Sequence, residues 1–268
     1  MEGIVVVGLI SLTAFFILRI VSVLDDMHCN KQSVINNLYE LHQYDYATPV
    51  LKAKYEYLYE LNQKISKQLG IKPPPIYLQD TDTNNAMAIN TGFFQAVIFE
   101  TKTFIGLDAQ GLGAVLAHEL YHIQQKHYLK SVARHFFIGA SWIVLNMFIL
   151  MNVVDSINLA EPATKGESYY WVICLMFFFS GATLMGDHVI LAIDRFIGRR
   201  QEIECDIFAA EATSFSDYLI EAHYFKDYED FWSKPLTGFR AIKYHFFTTH
   251  PDWNKRIQAV ANVNTNRK

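Results

Sequence analysis

The run His118-Glu119-Leu120-Tyr121-His122 carries a spacing with a definite chemistry behind it. Residues four apart on an α-helix differ by only about 40° in direction, so His118 and His122 can offer two imidazole nitrogens to one zinc ion. Glu119 then stands beside the open side of the metal. There it can take a proton from a zinc-bound water and return it to the leaving amine, the acid and base work this motif does in metalloproteases. The plain alternative is a surface helix that holds these five residues by chance. Ala114-Val115-Leu116-Ala117 ahead of the motif is apolar and helix-forming, which suits a buried helix opened by an Asp108 N-cap.

Two histidines need a third protein ligand, and the chain restricts its origin. The elongated metzincin motif would put a glycine at position 125 and a histidine at 128, where this chain has Gln125 and Tyr128. The gluzincin arrangement draws a glutamate from a downstream helix, yet no Asp or Glu occurs from Leu120 to Val154. The ligand must lie beyond an apolar interval. Within it, residues 135–154 and 169–186 contain no Asp, Glu, Lys or Arg, and each is about long enough to cross a hydrocarbon core of roughly 30 Å. The polar turn Asp155 to Ser168 joins them, and Tyr169, Tyr170 and Trp171 mark an interface. A transmembrane hairpin is expected, with a buried soluble hairpin as its alternative. Gly3 to Leu24 is a third apolar run, with Arg19 near its end. It reads as an uncleaved signal anchor, because no basic region precedes it and no small-residue cleavage site follows.

A hairpin returns the chain to the side it left, so acidic residues after about Asp187 can reach His118 and His122. Lys126, Lys130 and Arg134 before the hairpin, and Arg195, Arg199 and Arg200 after it, assign that side to the cytoplasm by the positive-inside rule. The expected location is the plasma (inner) membrane. Beyond the hairpin, residues 199–210 have helical composition. Glu202 and Asp206 share a face there, while Glu204 points about 200° from Glu202. Glu202 is the expected third ligand, and Asp206 the group that would hold a ligand imidazole in one tautomer. A solvated acidic helix face is the competing reading. On the same helical count His127, nine residues after His118, should face away from the metal.

Taken together, Val115 to His122, Glu202-x-x-x-Asp206 after a hairpin, and Thr249-His250-Pro251 followed by Arg256-Ile257 resemble the HtpX-like integral-membrane metallopeptidases, relatives of the CAAX prenyl endopeptidases. Asn85-Ala86-Met87-Ala88 is similar to that family's Asn-Ala-Phe-Ala stretch ahead of an active-site strand. The likeness covers roughly residues 55–262, with four motifs in the family's order. It implies zinc endopeptidase activity with roles for His118, Glu119, His122, Glu202, Asp206 and His250. The role implied for His250 is to stabilise the oxyanion, with Arg256 either supplying that charge or holding the site through a carboxylate. Cys205 departs from the small alanine usual before the aspartate, and three predicted spans differ from the four or seven of relatives.

The remaining segments must position these residues. Ser33 to Gln68 is rich in helix formers, with Tyr55, Leu58, Leu61, Ile65 and Leu69 on one face, and Pro49 should divide it into two helices. Ile76 to Leu78, Ala86 to Ile89 and Ala96 to Phe99 are short strand candidates. Their sheet could bind an extended peptide by strand addition, or be an ordinary protected edge. The expected fold is mainly α with a small β-sheet: a gluzincin-type catalytic domain interrupted by a transmembrane helical hairpin. The divisions are 1–24 anchor, 25–134 first part of the protease, 135–194 hairpin and 195–268 second part.

Composition narrows the classes. The net charge of −4 gives no sign of nucleic-acid binding, and three scattered cysteines suggest neither a disulfide framework nor a thiolate zinc site. Buried Cys205 is expected to act as a small hydrophobe. The leading function is a membrane-anchored zinc endopeptidase, with one Zn2+ per chain, that cuts extended, misfolded or membrane-protein substrates. The alternative is a non-catalytic membrane adaptor with a structural metal site, which would need four protein ligands and no Glu119 base. Polypeptide substrate and lipid bilayer are the expected partners, and the oligomeric state is left open.

Overall fold

The computed structural model describes residues 39–40, 49–80, 85–159, 165–215, 251 and 253–265. Its chain divides into two compact units, residues 1–28 with 131–194 and residues 29–130 with 195–268.

In the second unit, helix α1 (Pro49–Leu69) opens on a proline, whose missing N–H costs nothing in a first turn. Leu58, Leu61 and Ile65 are its buried stripe. Gly70, at φ +68°, ends it in a left-handed cap: Ile71 N–H donates to the Ser66 carbonyl at 3.0 Å and Gly70 N–H to that of Lys67 at 3.3 Å. Buried Asn62 donates to the Pro74 carbonyl at 2.9 Å and accepts from Ser66 at 3.1 Å, tying the helix to the strand that follows.

Strands β1 (Tyr39–Glu40), β2 (Ile76–Gln79), β3 (Ala86–Asn90) and β4 (Gln95–Glu100) form one sheet in the order β1-β2-β4-β3. β2 runs parallel to β4, with Ile76 opposite Val97, and β3 antiparallel to it, with Ala86 opposite Phe99. Ala96, Val97, Ile98 and Phe99 of β4 are wholly buried. Continuous rather than alternating apolar character is what a strand covered on both faces requires. Among the described residues β3 forms one edge of the sheet and β1 the other. The turn into β4 uses Gly92 at φ +85°, whose N–H is taken by the Asn90 Oδ1, while the Asn90 amide donates to the Ile123 carbonyl at 2.9 Å. That bond pins the β3 hairpin to the end of the helix that carries the two histidines. Tyr39–Glu40 corrects the sequence expectation of helix across residues 33–48: local composition favours helix there, but pairing with Tyr77 and Leu78 takes this segment into the sheet.

After helix α2 (Thr101–Gly106), Asp108 caps helix α3 (Ala109–Gln124), its carboxylate accepting from Gly111 N–H at 2.6 Å. A Cβ on Gly113 would lie 2.7 Å from Leu61 Cδ2 and 2.9 Å from the Tyr57 ring, so the absent side chain is what lets α1 and α3 approach so closely. Leu112, Ala114, Leu116, Ala117 and Leu120 complete the buried face. Helix α4 (His127–Leu159) begins after a break at Gln125-Lys126, where Lys126 takes φ +55°. Helix α5 (Lys165–Thr213) is continuous, and α6 (Trp253–Thr265) supplies Val260 to the core.

In the first unit, Asp194 binds α5 to α4: Ser131 donates to its Oδ2 at 2.8 Å and Arg134 Nε to its Oδ1 at 3.0 Å. Phe137, Val144, Phe148 and Met151 of α4 are exposed. The Asn146 and Asn152 amides donate to the helix's own Trp142 and Phe148 carbonyls, both at 2.7 Å. Residues up to Leu159 and from Lys165 are helical, so the ends of the 155–168 stretch expected as a polar turn belong to helices. Among the described residues no helix is long and apolar enough to cross a membrane. The expected span from Gly3 to Leu24 lies outside the described residues.

Candidate metal centre

Helical geometry brings the Nε2 atoms of His118 and His122 to 3.1 Å. From α5, Glu202 reaches both: Oε1 lies 3.3 Å from His122 Nε2 and Oε2 lies 3.6 Å from His118 Nε2. Three ligands on one zinc, with bonds of about 2.1 Å, stand roughly 3.4 Å apart in a tetrahedral arrangement. The separations here, and the pairing of two imidazoles with a carboxylate, fit such an ion. Glu119 is buried on the same helix, and exposed Glu204 is paired with Arg200 at 3.2 Å, away from the histidines.

Behind the histidines the packing is polar and closed. His118 Nδ1 meets Asp206 Oδ1 at 3.0 Å, which leaves Nε2 without a proton when Nδ1 is the donor. Asp206 is fully buried and is gripped by Arg256, whose Nε and Nη2 donate to its two oxygens at 2.6 Å each. Burial alone would raise the Asp206 pKa; the Arg256 charge and hydrogen bonds, with His118, outweigh it and hold the carboxyl below its usual range. The same guanidinium lies 3.7 Å from Glu202 Oε2 and 4.7 Å from the centre of the Trp253 ring. At His122, burial opposes a positive charge, but Glu202, with Glu119 and Asp206 nearby, raises the imidazole above its ordinary value.

Two further groups complete it. His127 Nδ1 lies 2.8 Å from His122 Nδ1, contrary to the expectation that His127 faces away. That expectation assumed one unbroken helix; the reversal at Lys126 turns His127 back toward the motif. No glycine or proline signals this break, and a lysine at positive φ leaves no mark in the sequence. Burial, together with the charges of His122 and Lys130, pushes the His127 pKa down to about 3, so it is neutral. Cys205 Sγ is 3.9 Å from the same His127 nitrogen and within 4.8 Å of ring nitrogens of His118 and His122. Burial first, and the carboxylates Glu202, Glu119 and Asp206 next, raise the thiol far above its usual range and keep it protonated.

Asn85, Ala86, Met87 and Ala88 lie at and along β3, the edge strand, partly buried, with the Asn85 carbonyl accepting from Glu100 N–H at 3.0 Å. His250 lies outside the described residues. Tyr121 of α3 stacks on Phe208 of α5, six residues beyond Glu202, at 4.7 Å between ring centres, which sets the second helix beside the first.

The model of Peptidase family M48 matches residues 52–264, and the chain belongs to that family of metallopeptidases. It is 30% identical over 110 residues to the Protease HtpX homolog of Acidiphilium cryptum, a match covering 41% of this chain and 38% of that relative. With the Protease HtpX homolog of Aquifex aeolicus it shares 29% identity over 226 residues, 77% of this chain and 71% of the relative. The fold is similar to that in the crystal structure of S. mikatae Ste24p, with a TM-score of 0.55 at 14% identity over 93% of this chain and 58% of that one.

Proposed function

We propose that this chain is a membrane-anchored zinc endopeptidase that hydrolyses extended, misfolded or membrane-protein polypeptides. The observation that carries the reading is the convergence of His118, His122 and Glu202 beside buried Glu119. These three would hold the ion, Glu202 reaching both imidazoles through its two oxygens. A bound zinc supplies a Lewis acid that activates water and polarises the scissile carbonyl. Glu119 takes a proton from the attacking water and delivers it to the departing amine nitrogen. Asp206, clamped by Arg256, accepts from His118 Nδ1 and keeps that ring's other nitrogen available. The edge strand β3, with Asn85 to Ala88, holds an extended peptide through main-chain hydrogen bonds that ask for no particular sequence. His250, by family likeness, donates to the oxyanion.

Anchorage is part of the proposal. It is supported by the two charge-free stretches, by the exposed apolar side chains of α4, and by the asparagines that satisfy their amides within their own helix. The basic residues flanking the stretches favour a catalytic unit facing the cytoplasm.

The test is proteolysis of a loosely folded polypeptide by the purified full chain. Activity should vanish with chelator and return with zinc. Glu119→Gln should keep zinc but lose roughly 10²–10⁴-fold in rate, whereas Glu202→Gln should lose zinc and Glu204→Gln should not. Chelator-resistant cleavage, or full zinc content in Glu202→Gln, would overturn the assignment.

A further inference from the structure

We propose that His127 is a positioning residue for His122: its bare Nδ1 accepts the Nδ1–H of His122 and so keeps His122 Nε2 bare for the metal. The inference rests on the zinc reading of His118, His122 and Glu202.

His122 Nε2 faces His118 Nε2 at 3.1 Å and Glu202 at 3.3 Å, so it is the nitrogen turned toward the metal locus and must lack a proton to bind there. A neutral imidazole has one N–H, which then sits on Nδ1. That donor points at His127 Nδ1, 2.8 Å away, and two facing ring nitrogens at this distance can share only one hydrogen. His127 must therefore carry its own proton on Nε2. Left to itself in water, a neutral imidazole favours the proton on Nε2, the wrong nitrogen for this site. The acceptor shifts neutral His122 toward the tautomer that can bind a metal through Nε2. The Cys205 sulfur, 3.9 Å from the same nitrogen, is a distant and weak competitor.

The two imidazoles are thus held differently. His118 has the Asp206 carboxylate behind it, neutralised by Arg256, and His122 has a neutral ring. Glu119, Glu202 and Asp206 already gather at the cluster, with Arg256 paired to Asp206 and 3.7 Å from Glu202, and a carboxylate in place of His127 would add a further negative charge to a buried site. A neutral acceptor orients His122 without that cost.

The experiment is zinc affinity of the full chain in detergent, by competition with a chromophoric chelator, for wild type, His127→Phe and His127→Asn. Phenylalanine removes the acceptor and retains a ring. Asparagine can put its Oδ1 where the histidine Nδ1 stood, and so can accept the same hydrogen. Loss of a partner behind a ligand histidine typically costs about 10–100-fold in metal affinity. The expected result is that loss for His127→Phe, with His127→Asn within a few-fold of wild type. Circular dichroism and thermal midpoints are read on each, since a role in packing alone would lower the midpoint without moving the zinc constant. If the phenylalanine variant does not fold, His127→Ala is read the same way. Wild-type affinity in the folded Phe or Ala variant overturns the inference alone, as does an Asn variant as weak as Phe. A wild type that binds no zinc overturns the zinc reading and this inference with it.

Discussion

At the scale of single residues, the cluster sets opposed electrostatic demands on neighbouring histidines. His122 is raised by Glu202, while burial and the charges beside it push His127 to about 3. A pH dependence follows for the zinc-free protein. The folded His127 pKa lies below the ordinary value of 6.5, so below that pH the unfolded chain takes up a proton that the folded one refuses. The stability contribution is whole above about 6.5 and is lost as pH falls from there toward 3. Each pH unit in that window removes up to about 1.4 kcal/mol. Comparing denaturant midpoints at pH 7 and pH 5 should show wild type losing roughly 2 kcal/mol more than His127→Asn, since only the histidine titrates there. Equal losses would mean that the folded ring is protonated as readily as the unfolded one.

At the scale of elements, helix α3 starts and stops for different reasons. Its start is local: Asp108 accepts from Gly111 N–H, satisfying one of the amides a helix leaves open. Asp108→Ala should cost about 1 kcal/mol, read as a lowered denaturant midpoint. Cleavage per folded molecule should hardly change, because the cap lies ten residues before His118. A loss of zinc in that variant would show that the helix start does more than stabilise. Its end, by contrast, is set by neighbours, with the Ile123 carbonyl taken by Asn90 and Lys126 in an unfavourable left-handed conformation. The β-strands at 76–79, 86–90 and 95–100 follow the apolar runs expected from sequence. The pair Tyr39–Glu40 does not, since two residues become a strand only when a partner offers its edge.

At the scale of the whole molecule, the intervening helices decide what can meet. Glu202 and Asp206 are some eighty residues from the motif they face, and both stand on the last turns of α5, continuous from residue 165 to 213. If residues 135–154 and 169–186 anchor the chain, as proposed, the full protein should remain in the membrane pellet after alkaline carbonate extraction. Release into the soluble fraction would remove the anchor while leaving the metal centre untouched. The spacing of charges supports that arrangement, and the exposed Phe137, Val144 and Phe148 are the side chains such a setting would cover.

What sequence alone determined is what short-range geometry controls. Two imidazoles four residues apart share a helix face whatever surrounds them, Glu202 and Asp206 share another, and an aspartate ahead of an apolar helix caps it. Such relations follow from 3.6 residues per turn and from backbone hydrogen bonding within a few residues. Tertiary structure decided the rest: the grip of Arg256 on Asp206 fifty residues away, the recruitment of Tyr39–Glu40 into the sheet, and the return of His127 to His122. Each depends on contacts between residues distant in sequence, and the last on packing that compensates a locally unfavourable choice, the positive φ of Lys126. No local propensity encodes that choice, because the energy that stabilises it comes from parts of the chain distant in sequence.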